Sequence, residues 1–291
     1  MLCVRANARI GERMIKSLEN VSIIDIHDAL NDAFSTYEIK ADLSIVQLNE
    51  MFKTRSFSAE YSRGFFENNV LIAFILIGFR DYHGCKYFYD IATGTRLSYQ
   101  KKGISDSLLN EIKREMVDKN IDIFLLEVLE HNMAAQSLYK KNGFIISRKL
   151  NCFEYIFSDD GKNYSSEITI KESNKDTETN EVLCSFEPSW QNSNISYDNA
   201  SNYNKLVVFK NNINIGYILV NIENGNILQF GLDQSCRNKY VLLEIFVILK
   251  SIVKANKIKL TNIEEGSEMD LLFKEISMNN FINQFEMKFI L

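Results

Sequence analysis

The stretch Gln100-Lys101-Lys102-Gly103-Ile104-Ser105 decides the fold of this chain. It follows an apolar, aromatic run over 86–97, typical of a strand, and precedes an amphipathic run over 104–119, typical of a helix. The first N–H groups of a helix have no partner inside the helix, and the helix dipole adds positive charge there. Two lysines raise the local charge further, and Gly103 carries no Cβ to keep a phosphate from the backbone. The pattern therefore predicts an anion site between a strand and a helix.

A second motif follows about thirty residues later. It reads Asn132-Met133-Ala134-Ala135-Gln136-Ser137-Leu138-Tyr139-Lys140-Lys141-Asn142-Gly143-Phe144. The two motifs, in this order and spacing, resemble the GCN5-related N-acetyltransferase (GNAT) superfamily, whose motifs read Q/R-x-x-G-x-G/A and N-x-x-A-x-x-L-Y-x-x-x-G-F. Only Ser105 departs from the pattern, where the family has Gly or Ala. The resemblance covers about Val21 to Phe157 and implies an α/β fold with a mixed, mostly antiparallel sheet flanked by helices.

The resemblance also implies acetyl-CoA as co-substrate and assigns residues to its parts. The pyrophosphate is expected on the loop, mostly through backbone N–H groups: Gln100, Lys101, Lys102, Gly103, Ile104 and Ser105. The pantetheine arm is expected beside the end of the preceding strand and the start of the later helix: Thr95, Arg96, Leu97, Asn132 and Ala135. Leu97 stands where the family often has proline.

Tyr139 resembles the residue that protonates the departing CoA thiolate. A phenol of pKa ~10 is protonated at neutral pH and can donate to a thiolate of pKa ~8.5. The general base stays open. Asp90 is the candidate, with Tyr87 and Tyr89 on the opposite face of the same strand, and a chain of water molecules is the alternative. The other reading of Asn132 is a helix N-cap, and of Tyr139 a half-buried aromatic.

Composition limits the other possibilities. The 291 residues suit two domains, and a net charge of −5 gives no global footprint for nucleic acid. The longest apolar run, Val70 to Phe79, is half the ~20 residues of a membrane-spanning helix. Five scattered cysteines and three histidines predict free thiols and no metal site. A cytoplasmic monomer or homodimer without membrane or nucleic-acid partners is expected.

The second half repeats the plan of the first. Tyr217-Ile218-Leu219 echoes Phe74-Ile75-Leu76 at an offset of 143, and Ile170 echoes Ile23. An offset of 137 carries Gln100 onto Arg237 and Phe144 onto Phe281, and a shorter hairpin before the second loop would explain the change. At that offset Gly103 becomes Tyr240 and Tyr139 becomes Ile276, so the second copy is expected to be degenerate.

These patterns predict four segments. They are an N-terminal tail over 1–16 (with Met1 or Met14 as the start), a catalytic GNAT domain over 17–157, a linker over 158–166 and a degenerate GNAT-like domain over 167–291.

Trp190, the only tryptophan, is interpreted as a core aromatic or as a wall of the acceptor cleft. The elements predicted in the first half are strands at 21–24, 60–67, 70–80, 86–97, 123–128, 144–150 and 152–157, and helices at 25–34, 43–52, 104–119 and 134–141. In the second half a strand at 226–233 and a helix at 241–253 flank the degenerate loop.

The leading functional hypothesis is acetyl-CoA-dependent transfer of an acetyl group to a primary amine, by direct attack in a ternary complex. Two alternatives remain open at this point. One is a peptide N-terminal acetyltransferase similar to those that modify ribosomal proteins. The other is a non-catalytic regulator that binds acyl-CoA, which the presence of Tyr139 disfavours.

Overall fold

The computed structural model describes residues 12–36, 43–82, 84–157, 167–173 and 181–291. They form a mixed α/β structure that divides into two compact units. The first comprises 1–52, 56–124 and 290–291, and the second comprises 53–55 and 125–289. The domain bounds expected from the sequence, 17–157 and 167–291, stay a prediction. The expected linker lies outside the described residues, as does His83. No helix in the described part of the chain is long and apolar enough to cross a membrane.

The order of elements is the same in both halves of the sequence. The first half runs β1 (Arg13–Ser17), α1 (Ile23–Phe34), α2 (Ile45–Thr54), β2 (Phe57–Glu67), β3 (Val70–Tyr82), β4 (Cys85–Thr95), α3 (Ile104–Lys119), β5 (Ile123–Leu129), α4 (Met133–Lys141) and β6 (Ile145–Ile156). The second runs β7 (Ile168–Ser173), α5 (Asn194–Asn199), β8 (Asn204–Lys210), β9 (Ile213–Val220), β10 (Asn226–Leu232), α6 (Lys239–Ile252), β11 (Lys257–Glu264), α7 (Glu268–Glu275) and β12 (Asn279–Ile290). Apart from one helix in place of two after the first strand, the two lists agree, which supports the duplication.

Local geometry repeats as well. Asn68 and Asn69, between β2 and β3, both have positive φ (51° and 64°), and Asn211 and Asn212 repeat these angles between β8 and β9 (50° and 65°). Left-handed residues are what a two-residue hairpin turn of this twist requires. The offset here is 143, as the sequence predicts. β9 and β10 have 8 and 7 residues against 13 and 11 in β3 and β4, so the expected shorter hairpin is confirmed.

The first unit contains an antiparallel run of strands in the order β1-β2-β3-β4. β3 is buried over nearly its whole length, because helices α1 and α3 pack against it. The stripe of α3 that the sequence predicts is buried, with Leu108, Leu109, Ile112 and Met116 each fully inaccessible to solvent. This core holds the start of α3 at the end of β4.

The second unit contains strands from both halves, in the order β5-β12-β6-β11-β10-β9-β8-β7. β6 lies between β11 and β12 and pairs antiparallel with both. A self-contained half would place β6 beside β5 and β12 beside β11, since consecutive strands usually neighbour each other. The two halves have therefore exchanged their last strands.

Three expectations about the elements are wrong. Residues 21–24 are not a strand, because the Ser22 side chain accepts a hydrogen bond from the Asp25 amide at 3.1 Å and caps α1. The echo of Ile23 at Ile170 therefore fails, since one lies in a helix and the other in β7. Finally, 144–150 and 152–157 are one continuous strand, β6. In addition, β1 begins at Arg13, within the expected tail.

Candidate functional site

The loop from β4 to α3 turns through two left-handed residues. A short 3-10 turn at Leu97–Tyr99 is followed by Lys101 at φ 60° and Gly103 at φ 77°. Gly103 is the N-cap of α3, and a Cβ at this position would meet nothing within 4 Å. The helix start thus has open space before it and no cap from its own N-cap side chain. This is the geometry in which helix N–H groups can bind an anion.

Side chains of the loop hold its shape. The Thr95 and Ser105 hydroxyls are 3.1 Å apart, and Gln100 Nε2 donates to the Thr95 carbonyl at 3.3 Å. Lys102 Nζ donates to the Ser98 carbonyl at 2.9 Å and lies 4.6 Å from the centre of the Tyr99 ring. These contacts stabilise the observed conformation of the loop.

The residues expected beside pantetheine are anchored to α1. Arg96 donates through Nη2 to Asp28 at 2.6 Å, and its backbone N–H donates to the Ile72 carbonyl at 2.9 Å. The Leu97 amide donates to Asp32 Oδ1 at 2.9 Å. The N–H groups of both residues therefore already have acceptors within the protein.

Tyr99 ties the loop to the first strands of the sheet. Its hydroxyl donates to Glu67 Oε2 at 2.6 Å, and Arg13 Nε donates to Glu67 Oε1 at the same distance. The bond from Tyr99, followed by that from Arg13, lowers the pKa of Glu67, and the same bond raises the pKa of Tyr99. The Glu67 carboxylate therefore accepts hydrogen bonds from both Tyr99 and Arg13 and links the loop to strands β1 and β2.

Asp90 lies buried on β4 beside a β-bulge. Ile77 on β3 pairs with Asp90 and the preceding residue with Ala92, so the register of this ladder shifts by one residue at Ile91. Asp90 is 6% exposed and accepts a hydrogen bond from the Thr93 hydroxyl at 2.6 Å. Tyr89 is buried as well. The structure gives Asp90 a fixed carboxylate position on the strand that the sequence indicates.

The later motif surrounds α4 in the second unit. Asn132 is its N-cap, and the side-chain oxygen accepts from the Ala135 amide at 3.1 Å. Tyr139 is 7% exposed, with its ring 5.5 Å from that of Phe144. Gly143 ends the helix at φ 88°. These residues thus have local structural roles, and the proposed roles of Asn132 and Tyr139 in cofactor binding and catalysis stay predictions.

The sequence reasoning missed a polar cluster in the second unit. Glu127 on β5 accepts a hydrogen bond through Oε2 from Gln191 Nε2 at 3.1 Å. Arg55 Nη2 donates to Gln191 Oε1 at 2.6 Å, and the Trp190 indole N–H donates to the Arg55 carbonyl at 3.1 Å. A sequence signal existed, because Glu127 is the only charged residue in the strand Ile123–Leu129.

The second copy of the loop is two residues shorter than the first. It begins alike, with a 3-10 turn at Gln234–Cys236, and Arg237 Nε donates to the Leu232 carbonyl at 3.0 Å as Gln100 does to Thr95. Asn238 then caps α6 directly, and its side chain accepts from the Tyr240 and Val241 amides, both at 3.1 Å. The second helix start is therefore capped by its own chain.

This deletion corrects the correspondence expected from the sequence. The offset of 137 holds up to Arg237, but α6 begins 135 residues after α3. Tyr240 does not fill the position of Gly103; it lies on the first turn of α6 and is 71% exposed. The backbone amide of Phe144 donates a hydrogen bond to the Tyr139 carbonyl, and the Met278 amide donates in the same way to the Phe273 carbonyl, at an offset of 134. Tyr139 therefore corresponds to Phe273, not to Ile276.

The chain also fills the groove of the second copy. β10 and β11 pair in parallel at only two positions, the last being Ile227 with Leu260. The side-chain amide nitrogen of Asn192 donates to the carbonyl of the next residue on each strand, Leu228 at 2.6 Å and Thr261 at 3.3 Å. Arg237 forms an ion pair with Glu268 at the start of α7. The space between these diverging strands is thus occupied by protein.

Comparison with known proteins agrees with this architecture. The profile of the acetyltransferase (GNAT) family matches residues 23–144. No curated protein matches the chain. Three similar solved structures are a putative acetyltransferase from Pyrococcus horikoshii (15% identity, 99% of this chain and 92% of that one, TM-score 0.66), a GCN5-related N-acetyltransferase from Sphaerobacter thermophilus (11%, 96% and 95%, 0.69) and a tandem GNAT protein from the clavulanic acid biosynthesis pathway (11%, 96% and 98%, 0.69).

These likenesses at low identity show the fold, which the chain shares with tandem GNAT proteins. The segment 23–144, which carries both motifs, matches the GNAT family of acetyltransferases.

Proposed function

We propose that this protein transfers an acetyl group from acetyl-CoA to a primary amine by direct attack in a ternary complex. The observation that carries the proposal is the contrast at the two helix starts. Gly103 leaves the start of α3 open, whereas Asn238 caps the start of α6 with its own side chain. One acetyl-CoA per chain, bound by the first copy, is the expected stoichiometry. A cytoplasmic location and a monomeric or homodimeric state belong to the same proposal.

The loop binds the pyrophosphate in this proposal. Its backbone N–H groups and the charges of Lys101 and Lys102 supply the attraction, and the absent Cβ of Gly103 permits close approach. Thr95, Arg96 and Leu97 lie beside the pantetheine arm, with Asn132 and Ala135 from the start of α4. The N–H groups of Arg96 and Leu97 already donate within the protein, and their carbonyls accept from the Tyr99 and Gln100 amides at 2.9 and 3.4 Å. A carbonyl oxygen has a second lone pair, so a pantetheine amide is expected to share one of these two acceptors.

The reaction needs one acid and one base. The amine nitrogen attacks the thioester carbonyl carbon, the carbon–sulfur bond of the tetrahedral intermediate breaks, and the thiolate takes a proton from the Tyr139 hydroxyl. The base accepts the proton that the amine loses. Asp90 is the candidate from sequence, and Glu127 is a second candidate because its half-buried side chain is the one charged group in the sequence of an otherwise apolar strand, in the unit that contains Tyr139.

Calorimetric titration with acetyl-CoA, followed by thiol-release assays on a panel of amines, tests the proposal. The panel contains polyamines, amino acids, aminoglycosides and short peptides, so that it covers both small-molecule and peptide acceptors. One site per chain is expected, lost in Gly103→Tyr and kept in Arg237→Ala. Two equivalent sites, or binding that survives Gly103→Tyr, would contradict the assignment of the loop.

A further inference from the structure

Four consecutive residues of the second half face two different environments. Ser189 and Asn192 are 1% and 4% exposed, and both contact Asn262 on β11 through hydrogen bonds of 2.9 and 3.3 Å. Trp190 and Gln191, between them, bind Arg55 and Glu127 from the first half of the sequence. The segment Ser189–Asn192 thus fills the groove of the second copy and supplies partners to groups of the first.

Gln191 is chemically matched to its two partners. A guanidinium can only donate hydrogen bonds and an ionised carboxylate can only accept them. The amide oxygen must therefore face Arg55 and the amide nitrogen must face Glu127, as the distances of 2.6 and 3.1 Å have it. No rotation of the amide would satisfy both neighbours, so this orientation is fixed by chemistry.

The backbone that carries Gln191 is itself rigid. Trp190–Asn192 forms a 3-10 turn. The Trp190 carbonyl accepts from the Ser196 hydroxyl at 2.6 Å and from the Ser193 hydroxyl at 3.1 Å. A side chain on such a support fixes the plane of the carboxylate it binds, and fixed orientation is worth large factors in rate.

We propose that Gln191 is a positioning residue, contributed by the degenerate copy, that orients the Glu127 carboxylate to accept the proton of the acetylated amine. This rests on the proposed function and assigns the general base within it. It also gives the second copy a role in the chemistry of the first. Selection for this contact explains why a half without its own cofactor loop has kept a well-packed core.

Two substitutions at Gln191 test the contact in different ways. Gln191→Met keeps the size and removes both hydrogen bonds. Gln191→Glu keeps the bond to Arg55 and places a second carboxylate against Glu127, so it decides the question if Gln191→Met does not fold. Ser201→Ala is the matched control, because it breaks another contact between the same two halves of the sequence, the 3.0 Å bond from Lys53 Nζ to the Ser201 hydroxyl.

The measurement is thiol release from acetyl-CoA with the most reactive amine of the panel, or with water where no amine responds. Both Gln191 variants are expected to lower kcat about 10- to 100-fold. The Kd for acetyl-CoA should stay within about twofold, and Ser201→Ala should behave as the wild type. In a Glu127→Gln background the Gln191→Met change should have no further effect, because coupled residues do not add.

Wild-type kcat in both Gln191 variants, or a full additional loss in the Glu127→Gln background, would overturn the inference while leaving the proposed function intact. Failure of the wild-type chain to bind acetyl-CoA and to release thiol would instead overturn the proposed function, and the inference with it.

Discussion

The starts of α3 and α6 are two versions of one structure, and they differ in what satisfies the helix N–H groups. Both follow a strand and a 3-10 turn, and in both a side chain donates to the carbonyl of the last strand residue. Two left-handed residues then open the first loop, whereas the second is shorter by two residues and ends on Asn238. A difference of two residues is therefore enough to separate an open helix start from a capped one.

Converting the first loop into the second should have the largest effect. Replacing Lys101-Lys102-Gly103 with a single Asn gives α3 the cap of α6 and removes both left-handed residues. We expect acetyl-CoA binding and thiol release to be lost, since the helix N–H groups would then be bound by the cap. Calorimetry measures the binding, and circular dichroism confirms that the fold remains. Affinity within tenfold of the wild type would show that the loop is not the anchor.

Tyr139→Phe makes the first copy resemble the second at the position of the proposed general acid, because Phe273 occupies the equivalent position. The ring contact with Phe144 should persist, so the Kd for acetyl-CoA should not change. Turnover should fall by roughly 10²–10⁴-fold, the usual contribution of general acid catalysis. Single-turnover measurement separates chemistry from product release. An unchanged chemical step would assign Tyr139 to packing alone.

The anchor at Asp32 is present only in the first copy. Asp32 fixes the start of the loop through the Leu97 amide, whereas Asp233 in the second copy accepts from its own neighbour Ser235. Asp32→Asn should weaken acetyl-CoA binding by about 3- to 10-fold, in line with the net value of a charged hydrogen bond. Asp28→Asn is the control, since it removes the charge of one ion pair with Arg96 and leaves the bond from the Leu97 amide to Asp32 in place. Equal effects of the two changes would contradict the role of the anchor.

Removing the cap from the second copy should have the smallest effect on function. Asn238→Ala leaves the Tyr240 and Val241 amides without their acceptor and should cost about 0.5–2 kcal/mol in the free energy of unfolding. Urea unfolding measures this cost, and Ser267→Ala, the cap of α7, should cost a similar amount. The stoichiometry of acetyl-CoA binding should stay at one, because the two deleted residues are still missing. A second binding site in Asn238→Ala would show that the cap alone blocks it.

The sequence predicted the elements whose signals are local. α3 was located at its true bounds because its apolar stripe and Gly103 mark the start and the buried face. The strands predicted at 60–67 and 70–80 leave Asn68 and Asn69 between them, a residue type that tolerates positive φ. The residues of the first motif lie in the loop between β4 and α3, and those of the second motif lie on α4 and at its two ends, as the sequence predicts.

What could not be predicted depends on contacts between distant residues. A deletion of two loop residues leaves the flanking periodicity unchanged, so the correspondence of Gly103 with Tyr240 failed. The pairing of β6 with β11 and β12 is invisible in the alternation of a strand, which shows a buried face but not the partner. The bond between Gln191 and Glu127 joins residues 64 positions apart, and only the lone charge on β5 pointed to it.

The exchange of the last strands has a consequence for how the protein is made. β12 spans Asn279–Ile290 and lies between β5 and β6. During synthesis, β6 leaves the ribosome before either of its sheet neighbours, β11 and β12, exists. Until about a hundred further residues have been made, the edges of β5 and β6 lack these final partners and either stay exposed or pair with each other. Exposed strand edges promote aggregation, so the folding of this chain should depend on protection during translation until β11 and β12 have been released.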